Sequence, residues 1–291
     1  MGFIVGIING ITVAFQNNQF KKLKGIHPYV INWLRFVFGT IVMVVIVSVF
    51  TTWKVPAYQF WLLLIFVSLP LELVNSFYYV KAFQHSPQSL VGPLFSLSLI
   101  FLVPITYFLL GELPTPIGFV GIIFVLIGTM ALGWNFSDPG LRPALRKLYK
   151  EKGARYMILS AFLSACTVSA AKYTYEYTSS PLIFSFYMSA VLAIAFTIPA
   201  LRQKASMQKT KVESGELIFM NVAYGIGQAL HYIGLSLLPA AYYISVKRSS
   251  ILFDVLMGKM IHKEKNILPR LIGVGLMLIG LVFIAFATVA K

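Results

Sequence analysis

Apolar residues run through this chain in blocks of about twenty, separated by short polar segments. The blocks lack the two-residue alternation of a barrel strand. Twenty helical residues span one hydrocarbon thickness, and backbone amides cannot stay unpaired in lipid, so the blocks are predicted to be helices. The pattern gives ten of them, over 2–20, 29–50, 58–83, 87–110, 115–134, 154–177, 181–201, 215–237, 240–261 and 268–289 (helices 1 to 10). Pro28, Pro87, Pro116 and Pro181 fall at or near helix starts, where a missing N–H costs nothing. The first block has no basic leader and no A-x-A site, and it places Asn9, Thr12 and Gln16 at helical spacing. It reads as a membrane helix and not as a signal peptide.

The two halves resemble one another. An ungapped shift of 152 residues pairs Pro87 with Pro239, Ser98 with Ser250, Phe101 with Phe253, Glu112 with Glu264, Gly121 with Gly273 and Gly128 with Gly280. Five helices is an odd number, so the second copy must enter the bilayer from the opposite face. The fold expected is therefore all-α integral membrane, ten transmembrane helices arranged as two inverted five-helix repeats with a site between them. The first repeat covers 1–137, a basic connecting loop 138–153, and the second repeat 154–291. The paired glycines are read as small residues that let helices pack closely.

Composition agrees: 58% of the 291 residues are hydrophobic and 11% charged, against about 25% charged in a soluble domain. The formal charge of +15 does not point to nucleic acid, because the basic residues sit in short segments between apolar blocks. Lys21, Lys22 and Lys24, then Arg142, Arg146, Lys147, Lys150, Lys152 and Arg155, then Arg202, Lys204, Lys209 and Lys211, then Lys259, Lys263, Lys265 and Arg270, all fall on one side of the predicted bilayer. Little beyond Lys54 and Lys291 lies opposite, which places both termini outside the cytoplasm. The single cysteine, Cys166, rules out an intrachain disulfide, and no residue spacing suggests a metal site or a cofactor.

Charges inside a membrane helix are costly and normally face a cavity or a partner. Lys247 and Arg248 lie about two turns into helix 9, where Tyr243, Lys247, Ser250 and Asp254 share a face. They point either to an anionic substrate or to internal pairing with Asp254 or Glu72. Helix 8 carries a polar stripe, Asn221, Tyr224, Gln228 and His231, and helix 3 another, Ser68, Glu72, Asn75 and Tyr79. Under the repeat shift Glu72 matches Tyr224 and Tyr79 matches His231, as two walls of a pseudo-symmetric cavity would. Asn9, Thr12 and Gln16 complete the wall from helix 1. Glu72 is either a proton carrier or a fixed counter-ion. Lys172 and Glu176 read as an i, i+4 ion pair at the end of helix 6.

The stretch from Tyr78 to Leu132 holds Ser86-Pro87, a serine-containing helix with Pro104, Gly111-Glu112-Leu113 and a glycine-spaced helix, and the second copy carries Lys263-Glu264-Lys265. With Leu34-Arg35-Phe36, these features resemble the drug/metabolite transporter superfamily, in particular the EamA-type carriers. The resemblance implies two inverted five-helix repeats, a cavity lined mainly by helices 1, 3, 4, 6, 8 and 9, and both termini inside, against the charge count. Helix 9, Tyr243-Ile244-Ser245-Val246-Lys247-Arg248-Ser249-Ser250, together with Tyr224, also resembles the plastid triose-phosphate translocators. There the cationic pair and the tyrosine bind the substrate phosphate; Phe95 stands at the repeat position of Lys247, so only half of that pattern is present.

The expected function is secondary transport of a small organic metabolite, anionic or zwitterionic, by alternating access, with a proton or an exchanged metabolite as partner. The alternatives are efflux of amino acids or drugs with Glu72 as a proton-coupled carboxylate, and, in another class, a membrane-embedded enzyme. No catalytic constellation supports the last, and no phosphate-binding glycine loop supports a pump. A bacterial cytoplasmic membrane is the default location.

Overall fold

In the computed structural model the chain is described over residues 1–23, 25–86, 88–133, 150–210, 214–253 and 268–289, and these contain helices and connections with no strand. Helix 1 is Gly2–Lys22, helix 2 Pro28–Phe50, helix 3 Tyr58–His85 and helix 5 Pro116–Gly133. Helix 6 is Lys152–Tyr175, helix 7 Pro181–Leu201, helix 8 Ser214–Leu237 and helix 10 Leu268–Val289. An additional short helix, Lys204–Thr210, follows helix 7. Among the described residues five helices are long and apolar enough to cross a membrane: helices 2, 3, 6 and 7 and the Val91–Leu110 portion of helix 4.

Two pairs of equivalent helices, 2 with 7 and 5 with 10, lie side by side and antiparallel. Trp33 bonds Thr197, and Phe36 stacks on Phe196 with ring centroids 5.8 Å apart, so helix 2 ascends as helix 7 descends. Helices 5 and 10 meet at their glycines in the same reversed order. A Cβ on Gly121 would lie 2.8 Å from the carbonyl oxygen of Gly280, and one on Gly128 would lie 2.7 Å from that of Gly273. Only glycine allows the two backbones so close. This antiparallel adjacency is the spatial form of the inverted repeat read from the sequence.

Helices 4 and 9, each expected to be continuous, are both broken, and at equivalent positions. Helix 4 consists of Gln88–Phe95 and Ser98–Leu110; helix 9 runs Ala240–Lys247 and resumes over 250–253. In helix 4, Ser96, Leu97, Leu99 and Ile100 each bond the carbonyl three residues back; Arg248, Ser249, Ile251 and Leu252 do the same in helix 9. The tightened turn thus recurs under the 152-residue shift. Helix 3 deviates in the opposite sense. Pro70 has no N–H for the ladder, and the preceding turn, Leu64–Ser68, widens to π geometry.

The connections gather at two ends. At one, Gln84 bonds the carbonyls of Leu23 and Ile26, His27 N–H bonds Ser206, and Ser86 bonds Glu151. Lys150, Lys152, Arg155, Arg202, Lys204 and Lys209 belong to this end, which is the basic one. The other end holds the start of helix 1, against Leu237 and Leu238, and the meeting of Ala57 with Tyr177. Between them, Leu99, Leu102, Tyr242, Tyr243, Met277 and Ile284 form part of one apolar cluster where helices 4, 5, 9 and 10 join. Many large apolar residues such as Phe66, Phe108, Ile194 and Phe286 face outward, as lipid contact requires.

Candidate functional site

A cavity of about 150 Å³ lies between the repeats. That is comparable with protein cavities able to take up a benzene ring. All four residues of the helix 3 stripe, Ser68, Glu72, Asn75 and Tyr79, line it. Tyr224, Gln228 and His231 line it from helix 8, and Asn9 and Gln16 from helix 1. Lys247, Arg248 and Ser250 enter from the break in helix 9, and Phe95 from the break in helix 4. The two repeats therefore contribute walls at equivalent positions, and the broken helices bring backbone turns to the same space.

Four of the lining side chains are formally charged: Arg35, Lys247 and Arg248 are cationic and Glu72 is acidic. Arg248 reaches across the repeat boundary. Its Nη2 donates to Ser98 Oγ at 2.6 Å and to the Phe95 carbonyl at 3.1 Å, and its guanidinium covers the Phe95 ring at 4.1 Å. Phe95, the repeat counterpart of Lys247, thus serves as the stacking partner of the next residue. Arg35, buried in helix 2, lies over the Tyr224 ring at 4.3 Å and donates to Asn32 Oδ1 at 3.1 Å. Glu72 accepts from Asn75 Nδ2 at 3.0 Å, and Asn75 Oδ1 accepts from Ser160 in helix 6 at 2.8 Å. Lys247 Nζ sits 3.4 Å from His231 Nδ1.

Several expectations change. Tyr243 is fully buried behind the wall, where its hydroxyl receives Asn9 Nδ2 and lies 3.3 Å from His231 Nδ1. It does not line the cavity with Lys247 and Ser250: one turn before Lys247, its ring packs against Gly234 of helix 8 and Gly6 of helix 1, within the apolar cluster. Asn221, the first residue of the helix 8 stripe, is also buried off the wall, with neither amide atom hydrogen-bonded. Asp254 and Glu264 lie outside the described residues, as does most of the expected connecting loop. Lys172 pairs not with Glu176 but with Glu112, from the first repeat, and donates to the Leu238 carbonyl at 2.8 Å. A tertiary partner that also caps helix 9 prevails over the local i, i+4 neighbour: Glu112 accepts the Ala240 N–H at 2.8 Å. Gly111 makes this placement possible. At φ 66° it ends helix 4 in the left-handed region, with the Glu112 N–H returned to the Thr106 carbonyl.

Arg35 was noted in the sequence only as part of Leu34-Arg35-Phe36, although the rule that singled out Lys247 applies to it equally. Ser164 and Thr167 line the cavity from helix 6, while Arg35 from helix 2 and Met188 and Leu192 from helix 7 add two helices to the six that the resemblance named. Among the described residues no cluster of His, Cys, Asp and Glu could hold a metal ion.

An all-helical chain with outward apolar faces, two antiparallel repeats and a charged cavity between them defines a multi-pass membrane protein of the solute-carrier class. The EamA-like transporter family matches residues 1–134 and 151–286, one match per repeat. The chain belongs to that family, whose members move small solutes across membranes. No curated protein matches the sequence. A solved structure, described only as a crystal structure of a protein, has a TM-score of 0.73 at 14% identity over 98% of both chains. At that identity the likeness concerns the fold alone.

Proposed function

We propose that this protein is a secondary carrier for a small organic anion or zwitterion, working by alternating access of the two repeats. The observation that carries the reading is the charge of the cavity: Arg35, Lys247 and Arg248 face a space in which Glu72 is the sole carboxylate among the described lining residues. An excess of cationic over acidic side chains among the described lining residues favours an anionic guest, and the guanidinium of Arg248 supplies planar, two-pronged donors. Glu72 and Asn75 offer a matching site for the ammonium of a zwitterion. On this reading Lys247 and Arg248 grip the acid group, Tyr79, Gln228 and His231 orient the body, and Asn9, Gln16 and Tyr224 complete the wall. The repeats 1–137 and 154–291 rock about the broken helices 4 and 9. The basic end faces the cytoplasm of a bacterial cell, with both termini outside.

The Glu112–Lys172 pair supports a closed gate at the non-basic end. It ties the first repeat to helix 6 and to the start of helix 9, so opening that end requires its rupture. The efflux alternative draws support from Glu72, whose bond from Asn75 leaves a carboxylate in the cavity able to meet a cation.

A thermal-shift series on purified protein tests the reading. Small carboxylates, phosphates and sulfonates are expected to raise Tm with concentration, as ligands that bind only the folded state must. Lys247→Ala and Arg248→Ala are expected to remove the shift. Stabilisation by cations alone, unchanged in both variants, would refute it.

A further inference from the structure

Resting on the anion reading, we infer that His231 is a proton-coupling residue: anion binding draws Lys247 off His231 Nδ1, and that nitrogen takes up a proton, so anion and proton are carried together. In the structure Lys247 Nζ lies 3.4 Å from Nδ1. An ammonium only donates, so Nδ1 accepts and the ring N–H falls on Nε2. While that contact holds, Nδ1 has no lone pair for a proton. Tyr243 supplies the alternative partner. Its oxygen, 3.3 Å from the same nitrogen, already receives Asn9 Nδ2, and its own O–H is directed to the Leu230 carbonyl at 3.3 Å. With that hydrogen committed, the second lone pair of Tyr243 is placed to accept from a protonated Nδ1.

One nitrogen thus has two mutually exclusive bonds, accepting from Lys247 or donating to Tyr243. The charge on Lys247 selects between them. With the cavity empty, a proton on His231 would set two cations 3.4 Å apart in a buried site. An anion that engages Lys247 both frees the lone pair and offsets that repulsion. The proton comes from water and remains on Nδ1; Lys247 keeps its own. Other charges face the pair from helix 9 (Arg248), helix 2 (Arg35) and helix 3 (Glu72). Tyr232 touches the imidazole from helix 8, and helix 1 presents neutral Asn9. Glu72 among these, and Lys247 itself, are the competing proton acceptors.

The test is titration calorimetry with oxalate, sulfate and benzenesulfonate, which stay ionised near neutrality, in buffers of different ionisation enthalpy. The wild type is expected to take up close to one proton per anion over the pH range in which His231 is protonated with the anion bound and neutral without it, with affinity falling by up to about 10-fold per pH unit across that range. His231→Gln keeps an acceptor for Lys247 but cannot titrate; it is expected to bind with no proton uptake and a flat pH profile, and Glu72→Gln to retain uptake. Binding by the wild type without uptake overturns the coupling alone. So does uptake that survives in His231→Gln, whether the proton then goes to Glu72 or to Lys247. Binding of none of the anions overturns the anion reading and the coupling with it.

Discussion

Lys247 and Arg248 are adjacent in sequence yet have different surroundings, and the difference decides what each contributes. Arg248 is anchored by Ser98, the Phe95 carbonyl and the Phe95 ring, all from the opposite repeat. Lys247 has His231 as its hydrogen-bond partner. Removing Lys247 is expected to weaken anion binding about 10- to 100-fold, the equivalent of one charge-assisted hydrogen bond. Arg35→Lys, which keeps the charge but loses the planar stack on Tyr224, is expected to bind less tightly and to be distinguished from Arg35→Gln by partial retention in the same titration. The intramembrane charges and the two polar stripes were legible because they obey a 3.6-residue period against an apolar background. Arg35 was legible on the same ground but was absorbed into a family pattern. The burial of Tyr243 was not legible, since a one-dimensional face does not show which neighbouring helices, here at Gly234 and Gly6, close over the ring.

Ten helical blocks were readable from length and hydropathy alone, and the described helices follow them closely. The breaks were harder to see. Pro93 marks the one in helix 4, but helix 9 carries no proline or glycine at Arg248–Ser249, so its tightened turn is visible only in the backbone bonds. Glycines on helices 5 and 10 were legible as packing residues, and their cross-repeat contact gives them a measurable weight. Gly280→Val places a Cβ 2.6 Å from the Gly121 carbonyl oxygen, so it is expected to destabilise the protein by about 1–3 kcal/mol, read as a lower Tm in detergent. The ion pair of Lys172 was misassigned because sequence spacing sees only neighbours along a helix. Its true partner, Glu112, predicts a gate. In a Cys166→Ser, Thr167→Cys background, Glu112→Gln is expected to increase labelling of the cavity by an impermeant thiol reagent applied at the non-basic end. Unchanged labelling would remove Glu112 from the gate.

At the scale of the whole molecule, the inverted repeat explains why the site lies where it does. Two antiparallel copies cannot fill their shared boundary evenly, because equivalent positions carry different residues: Phe95 opposite Lys247, Glu72 opposite Tyr224. The fold repeats and the chemistry does not: among the described residues the cavity is lined by three cationic side chains and one carboxylate. The two ends differ as well: the Glu112–Lys172 ion pair lies at the non-basic end and the basic residues at the other. Charge selectivity of transport is the most direct measure of the account. Proteoliposomes loaded with an equimolar mixture of small carboxylates, phosphates, neutral amino acids and organic cations would be diluted, and the compounds that leave identified by mass spectrometry. Anions or zwitterions are expected to leave, cations to stay, and Lys247→Ala to stop the flux. Exit of cations that persists in Lys247→Ala and stops in Glu72→Gln would contradict it.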